Sequence, residues 1–381
     1  MAKISVTIGP PHREAMAEWH DLLTRAAPNV FMNPVALCAA AETGFARIHL
    51  LQAWEEGEGP RRLVGQWALA TRKLTPFGPA VLDALPYDYA FLSTPVIDPR
   101  HADDVLPAFF AAIGNDPALP RVVHLDAFDR DTPGFAALGQ ALARTGGRHW
   151  MVAAQGRPCV SREAGVKRSG ATRKKLRQDW NRLAACGTVA VSNERSPAAV
   201  AQAFEAFLAL EQRSWKGERG TALLCSARDA AFVRRLIADL CAVGAASVAL
   251  LLVDGEAIAA QVLMYCGDSA YTWKIAFDSA YARYSPGALL VDKAAEQLLA
   301  EPGLKAIDSC SPENGFMGRL WTGRRPLVEA LIQVGGGVSP AFPVEAARLK
   351  GYRAARRVRD WLRARRGGGP AAAARAPVTS R

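Results

Sequence analysis

The stretch from residue 270 to residue 290, AYTWKIAFDSAYARYSPGALL, decides the fold of the second half of this chain. Alternation along its first eight residues predicts a strand with two faces. We expect one face to carry Tyr271, Trp273, Ile275 and Phe277, and the other to carry Thr272, Lys274 and Ala276. The triplet Ser285-Pro286-Gly287 then predicts a helix as far as Ala300, because an N-cap serine followed by proline commonly opens a helix.

The segments around this stretch complete a mixed α/β pattern. Before it the sequence predicts a strand, two helices and a two-stranded hairpin turning at Asp254-Gly255, which is a strong hairpin signal. These elements are Thr188–Glu194, the helix opened by Ser196-Pro197, Arg228–Val243, Ser247–Val253 and Glu256–Tyr265. After it come a strand, a short helix and a last strand: Ala306–Ser309, Gly315–Trp321 and Val328–Val334. The predicted order is β-α-α-β-β-β-α-β-α-β.

The N-terminal half repeats this order more faintly, with a Pro-rich, irregular third strand near residues 80–92. At 381 residues the chain is long enough for two domains. We therefore predict one domain over residues 1–155 and a second over 160–340. A basic amphipathic helix over 341–366 and a disordered tail over 367–381 follow.

Four stretches of the second half resemble one family in order and spacing. They are SGATRKKLRQDWNRLAACG (169–187), VDGEAIAAQVLMYCG (253–267), the stretch at 270–290, and KAIDSCSPENGFMGRLW (305–321). The chain resembles the CelD/BcsL-type (cellulose and exopolysaccharide-associated) branch of the GNAT superfamily, whose relatives include the FemAB-like tandem-GNAT transferases. The resemblance implies an α/β fold of two tandem GNAT-like domains. It also implies an acyltransferase that uses acetyl-CoA or another acyl-CoA as cosubstrate.

The sequence departs from the family in its fourth stretch. Many relatives carry a Tyr-Lys pair after the aspartate, whereas here residues 315–319 read GFMGR. Arg319 supplies a cation but is a poor proton carrier, because arginine stays charged.

Composition excludes several classes of site. The seven cysteines are scattered with no CxxC pair, and the six histidines show no HxxxH or HExxH spacing, so we expect no metal. No segment approaches the roughly 18 apolar residues of a membrane span, and the N-terminus lacks a secretory pattern, so we expect a cytoplasmic protein. The net charge of +11 comes mostly from residues 341–381, which hold eleven Lys/Arg against Glu345 and Asp360.

The expected acyl-CoA site lies at the start of the helix after Tyr284. A helix N-terminus offers free N–H groups and a positive dipole end to a pyrophosphate. Gly287 would let the backbone approach the phosphate closely, and Trp273 lies on the strand expected to line the pantetheine slot. The cofactor-binding candidates are therefore Trp273, Arg283, Ser285, Gly287 and Ala288. An ordinary Ser-Pro-Gly helix start is the alternative interpretation.

Removing the acceptor's proton needs a base, and the candidates are Asp308 and Asp278, with Glu313 behind them. Each aspartate follows a strand, so the two are expected where neighbouring strands separate, with a pKa raised by partial burial. A turn-former or helix cap is the alternative for each. Tyr284 and Tyr281 are candidate acids for the departing thiolate.

Cationic side chains complete the predicted site. Lys274, central in an apolar strand, is expected to pair with Asp278 or Asp308 or to face the acceptor. A basic run lies at a helix start, where the dipole disfavours positive charge, which indicates a bound anion. The run comprises Lys167, Arg168, Arg173, Lys174, Lys175 and Arg177. The acceptor- or anion-binding candidates are Lys274, Arg173, Lys174 and Trp321.

Three functions stay open at this point. The first is transfer from acyl-CoA to an amine or hydroxyl, with an amino sugar or polysaccharide precursor as acceptor. The second is FemAB-like transfer from an aminoacyl-tRNA, which the absence of a long helical insertion disfavours. The third is a non-catalytic GNAT scaffold in a polysaccharide synthesis assembly. For the helix over 341–366, a stripe of Leu349, Tyr352, Ala355, Val358 and Leu362 fits packing on the second domain, an anionic membrane surface or a polyanion.

Overall fold

The computed structural model describes residues 3–57, 59–76, 78–166 and 170–365. Lys167 and Arg168 of the basic run, Arg366 and the tail over 367–381 lie outside this range. The chain divides into two compact units: unit 1 holds the residues up to Gln155 and from Pro326 onward, and unit 2 holds Gly156–Arg325. The boundary predicted near residue 155 lies at this division. Residues 326–340, which the sequence places in the second domain, belong to unit 1.

Thirteen strands and eleven α-helices are assigned within the described ranges. The strands are β1 (Lys3–Gly9), β2 (Ile48–Glu56), β3 (Arg62–Lys73), β4 (Ala80–Asp83), β5 (Val96–Ile97), β6 (Val122–Asp129), β7 (Arg148–Ser161), β8 (Val189–Ser192), β9 (Ala246–Val253), β10 (Glu256–Cys266), β11 (Ser269–Phe277), β12 (Ala306–Asp308) and β13 (Gly323–Gln333). The helices are α1 (Met16–Leu23), α2 (Pro34–Glu42), α3 (Ala102–Asn115), α4 (Pro133–Arg144), α5 (Ala171–Ala184), α6 (Pro197–Arg213), α7 (Trp215–Glu218), α8 (Ala227–Ala242), α9 (Pro286–Ala300), α10 (Phe316–Leu320) and α11 (Ala341–Arg365).

Each unit builds its sheet in the same order. In unit 1 the order is β1-β2-β3-β4-β6-β13, with β4 and β6 parallel and the other neighbours antiparallel. In unit 2 it is β8-β9-β10-β11-β12-β7, with β11 and β12 parallel. Both halves of the chain therefore have the mixed α/β architecture that the sequence predicts.

The last strand of each sheet comes from the other half of the sequence. Leu327–Gln333 of β13 pair with β6 in unit 1, although they follow unit 2 along the chain. Residues Cys159–Ser161 of β7 pair with β12 in unit 2. Residues 326–340 are predicted in the second domain but belong to unit 1, because β13 pairs with β6 and so completes the edge of the unit 1 sheet.

Helices cover both faces of the unit 2 sheet. One face packs against α9 and α5 in a core that includes Leu183, Leu263, Leu290 and Trp321. The other face is covered by α6 and α8, whose buried stripe includes Phe204, Phe207 and Leu236. Fully burying a large apolar side chain contributes about 1.5–3 kcal/mol, so this sandwich holds β11 firmly in place.

The first half of α11 packs on unit 1. Leu349 is only 3% exposed, whereas Val358 is 56% exposed. The predicted stripe from Leu349 to Leu362 is therefore wrong, because over 13 residues it drifts around the helix away from the buried side.

Candidate functional site

A β-bulge at Trp273 changes the phase of β11. Thr272 pairs with Leu263 of β10, but Lys274 pairs with Val262, which leaves Trp273 as the extra residue. Ile275 and Phe277 consequently pack on the same core as Ala270, while Lys274 lies on the other face. The two faces predicted by simple alternation are therefore wrong beyond Trp273, since one extra residue inverts every following side chain.

The bulge lies just beyond the point where β11 loses its neighbour. The parallel pairing of β11 with β12 ends at Tyr271 and Asp308, and β11 continues alone on that side to Phe277. Thr272 Oγ1 donates to the carbonyl oxygen of Ser309 at 2.8 Å, which fixes the chain as it leaves β12. We name this place the β11–β12 opening. Among the described residues, no strand covers the backbone edge of β11 there.

The N-terminus of α9 follows β11 after one 3₁₀ turn, Ser279–Tyr284. Ser285 precedes Pro286 in a left-handed conformation, with φ of 54°, and its side chain does not cap the helix. Its hydroxyl instead accepts a hydrogen bond from Lys175 Nζ at 3.2 Å. Arg283 is exposed, and its guanidinium lies 4.7 Å from the ring centre of Tyr284. A helix start with two flanking cations is suited to a phosphate group.

Gly287 lies against β11, and its predicted contact with a phosphate stays a prediction. A Cβ at this position would come within 3.3 Å of both Ile275 Cδ1 and Phe277 Cδ1. The glycine therefore lets α9 lie close to β11. Ala288, the next residue, packs at the margin of the same core.

Asp308 is a buried ion-pair partner. Its carboxylate is 4% exposed, accepts from Arg325 Nη1 at 2.6 Å, and lies 3.6 Å from Arg157 Nη1. Burial alone would raise the pKa of this carboxyl, but Arg157 and Arg325 outweigh burial and lower it. The expectation of a raised pKa is wrong, because both arginines stabilise the charged form.

The two aspartates do not meet. Asp308 is level with Tyr271, and Asp278 follows the far end of β11, roughly 20 Å away at about 3.3 Å per residue. Asp278 caps the 3₁₀ turn and accepts from the Ala280 N–H at 2.8 Å. Glu313 is exposed and accepts from the Gly156 N–H at 3.3 Å.

Tyr284 is 8% exposed, and its hydroxyl lies 3.0 Å from the Cys186 sulfur. This hydrogen bond, followed by burial, raises the pKa of Tyr284. The phenol is protonated at neutral pH, as tyrosines ordinarily are, and the raised pKa makes it a weaker proton donor, so its role as an acid stays a prediction.

Arg173 and Trp321 are structural. Arg173 lies on α5, is 8% exposed and pairs with Asp292 of α9, with Glu296 at 3.7 Å. Trp321 is fully buried in the core of unit 2. Neither side chain is placed to bind an acceptor, so both predictions are corrected. Lys174 is exposed on α5.

Lys274 lies beside charged groups that the sequence did not single out. Burial lowers the pKa of its ammonium to about 8, and the nearby charges are Glu211, Lys216 and Asp229 rather than Asp278 or Asp308. Glu211 is 1% exposed and accepts from Lys216 Nζ at 2.7 Å and from the Leu223 N–H at 2.9 Å. We name Lys274, Lys216 and Glu211 the lysine cluster.

A signal for the lysine cluster exists in the sequence. Glu211 follows Phe207 and Leu208 at helical spacing, so it continues the apolar stripe of α6 with a carboxylate. A buried carboxylate needs a partner, which Lys216 supplies.

The equivalent helix of unit 1 is unsuited to phosphate. The first turn of α3 carries Asp103 and Asp104, and Asp98 caps the 3₁₀ turn that precedes it. Asp98 is 1% exposed and pairs with Arg25 and Arg100. The carboxylates of Asp103 and Asp104 at this helix start would repel an anion, which leaves unit 2 as the candidate donor site.

Comparison with known proteins agrees with this geometry. Residues 170–316 match the model of the acetyltransferase (GNAT) domain. The stretch covers α5 to the start of α10, including β11 and α9. The predicted GNAT fold and acyltransferase class are confirmed at this level. The CelD/BcsL branch stays a prediction.

Solved structures share the fold at low identity. A crystal structure of FemX is similar with a TM-score of 0.58 and 11% identity, over 84% of this chain and 95% of that one. The C-terminal domain of a putative lysylphosphatidylglycerol synthetase from Agrobacterium fabrum is similar with a TM-score of 0.52 and 14% identity, over 89% and 95%. A comparison with curated proteins found no significant match.

The described residues contain neither a metal-ligand group nor a membrane-spanning helix. In the ranges that the structure describes, no group of three or more His, Cys, Asp or Glu side chains is arranged to hold a metal ion. Within the same ranges, no helix has the length and apolar character needed to cross a bilayer.

Proposed function

We propose that unit 2 transfers an acyl group from acyl-CoA to an amine or hydroxyl acceptor. The observation that carries the proposal is the β11–β12 opening directly in front of the N-terminus of α9. An extended pantetheine arm has amide groups that pair with a free strand edge, as an added strand would. The pyrophosphate would lie at the start of α9, beside Lys175 and Arg283.

The acceptor would be deprotonated by Lys274. The lysine lies on the face of β11 that α6 and α8 cover, and a pKa of about 8 leaves part of its population neutral near pH 7. The acceptor nitrogen or oxygen bonds to the acyl carbon, the C–S bond breaks, and the thiolate takes up the proton that Lys274 removed from the acceptor. Asp308 holds Arg157 and Arg325 and takes no proton in this scheme.

An amino sugar or polysaccharide precursor is the acceptor we propose, from the resemblance to the CelD/BcsL-type branch. A second donor, aminoacyl-tRNA, is favoured by one observation: Lys174, Lys175 and Arg177 are exposed within about one turn of α5. FemX and the synthetase domain share the fold of this chain. A non-catalytic scaffold is the third candidate, because the lysine of the Tyr-Lys pair is missing.

Ser285→Asp tests the donor site without disturbing the fold. Asp tolerates the left-handed conformation and caps helices well, but its charge would repel the pyrophosphate. Ser285→Asn is the matched neutral control. Ligand at about a hundred times its Kd adds about 2.7 kcal/mol of stability, which thermal shift with acetyl-CoA and longer acyl-CoAs detects.

We expect stabilisation of the wild type and of Ser285→Asn, and none of Ser285→Asp. If acyl-CoA stabilises all three proteins, the donor binds somewhere other than the start of α9. If no CoA thioester stabilises the wild type while aminoacyl-tRNA supports transfer, the second donor is the correct one. If neither donor binds, a non-catalytic scaffold is the candidate function that is left.

A further inference from the structure

One face of α11 is fixed to unit 1. Glu345 is fully buried and accepts from Arg72 at 2.8 Å and from Arg348 at 2.7 Å. One turn further on, Leu349 is 3% exposed, and beyond it Arg353 pairs with Glu329 of β13. These contacts determine which side of the helix faces the protein.

The opposite face is apolar and exposed. At about 100° per residue, positions separated by alternate steps of three and four share one side of a helix. Six such positions lie opposite Glu345 and Leu349: Val344, Ala347, Gly351, Ala354, Val358 and Trp361. Val358 is 56% and Trp361 51% exposed. Of the eight large apolar side chains exposed in the described residues, five lie on α11.

Basic side chains flank this apolar face. From Lys350 to Leu362 the helix holds five Lys/Arg and one acidic residue, Asp360. Lys350 and Arg357 lie about 70–90° around the helix from the centre of this face, and both are exposed. A helix with an exposed apolar face, a tryptophan and flanking arginines fits the boundary between lipid headgroups and acyl chains.

Charge decides between the possible occupants of this face. A second copy of α11 would bring like charges together, which opposes self-association. A nucleic acid would satisfy the arginines but would leave Val358 and Trp361 in water. An anionic bilayer satisfies both groups, since the arginines meet headgroups while the apolar side chains enter the interface.

We propose that α11 binds the surface of an anionic membrane through the face formed by Val344, Ala347, Gly351, Ala354, Val358 and Trp361. The helix lies in the interface without crossing it, and unit 1 is held against the membrane. This surface is separate from the donor site of unit 2, so it can be tested whether or not the proposed acyl transfer is correct.

Vesicle cosedimentation of the full chain tests this proposal. We expect binding to vesicles of phosphatidylcholine with about one-third phosphatidylglycerol and little binding to phosphatidylcholine alone. Binding should weaken at about 1 M salt, where the screening length falls to about 3 Å. Tryptophan emission should shift to the blue on binding, and this shift should be lost in Trp361→Phe, which still binds.

Two double variants separate the apolar and basic contributions. Val358→Ser with Trp361→Ser removes apolar contact, and Lys350→Gln with Arg357→Gln removes charge. Each basic side chain near an anionic surface contributes roughly fivefold, so we expect the charge variant to lose at least about tenfold in partitioning. The apolar variant should lose a similar factor.

Matched controls change exposed residues elsewhere on unit 1. Val338→Ser is the apolar control, since Val338 is 85% exposed, and Arg47→Gln with Arg121→Gln is the charge control. Both should bind as the wild type does. Equal binding to neutral and anionic vesicles would overturn the proposal. So would duplex RNA binding without vesicle binding, or a dimer that the apolar variant dissociates.

Discussion

Asp308 shows how strongly a single residue's partners decide its chemistry. In the sequence it ends a strand next to a suspected active site. In the structure, Arg157 and Arg325 hold its carboxylate in the charged form, which lowers its pKa. A base needs a pKa near the working pH, so Asp308 is suited to holding the two arginines rather than to accepting a proton.

We predict that Asp308→Asn destabilises unit 2 by about 3–5 kcal/mol, because removing one partner leaves buried positive charge uncompensated. Urea unfolding measures this loss. Because the folded pKa is lowered, the carboxylate stabilises the protein above its unfolded pKa. That contribution is lost as pH falls through the folded pKa.

Asp278→Asn is the control at the residue scale. Asn caps a helix about as well as Asp, so this variant should unfold close to the wild-type urea midpoint. Equal losses in the two variants would show that the Arg157–Asp308–Arg325 contacts contribute no special stability.

At the scale of elements, α11 is attached by one buried carboxylate. Glu345 accepts from both Arg72 of β3 and Arg348 of its own helix, and these contacts outweigh burial and lower its pKa. Arg72 also pairs with Asp83 of β4. The helix is therefore connected to two strands of unit 1 through one arginine.

We predict that Glu345→Gln costs about 1–3 kcal/mol, since a neutral amide accepts more weakly from an arginine than a carboxylate does. Hydrogen exchange should become faster in the first half of α11. Glu163→Gln, at an exposed position, makes the same change of charge and should leave exchange in α11 unaltered. Unchanged exchange in Glu345→Gln would mean that apolar packing and the Arg353–Glu329 pair hold the helix without the Glu345 carboxylate.

At the scale of the whole molecule, the two units carry groups with opposite pH dependence. His124 in unit 1 is 1% exposed and lies 3.1 Å from both Asp83 and Glu329. Burial alone would lower its pKa, but these hydrogen bonds raise it to about 9. In unit 2, burial lowers the pKa of Lys274 to about 8.

The directions of these two pKa shifts determine how the free energy of unfolding should change with pH. The stability that protonated His124 contributes is fully present below its unfolded pKa of 6.5, and is lost as pH rises towards 9, by a few kcal/mol. Lys274 has the opposite effect on stability. Between pH 8 and 10.5 the free energy of unfolding should rise with pH, because the buried lysine is neutral in the folded state while the lysine of the unfolded chain is still protonated. Urea unfolding across this range should show both slopes.

Two variants show which residue causes each slope of the pH profile of stability. His124→Gln should flatten the fall between pH 6.5 and 9, and Lys274→Met should remove the rise above pH 8. A profile of His124→Gln that falls as steeply as the wild type would show that another group titrates there.

The order of the elements was accessible from the sequence because it depends on local patterns, whereas the acyltransferase class was implied by the resemblance of four stretches to the GNAT superfamily. Ser285-Pro286-Gly287 marked a helix start, Asp254-Gly255 marked a hairpin, and the apolar spacing marked the helices. These signals act over a few residues, so alternation and capping chemistry are enough to read them.

Only the tertiary structure decided which side chains meet. A single extra residue at Trp273 inverted the faces of β11, and no local pattern announces a bulge. Arg157 of β7 reaches Asp308 from far away in the sequence and Arg325 of β13 from 17 residues away, and together they reverse the sign of its pKa shift. Strand pairing likewise decided that β7 completes the unit 2 sheet and that β13 completes the unit 1 sheet. Burial and charge partners are set by three-dimensional neighbours, and these determine what the residues can do.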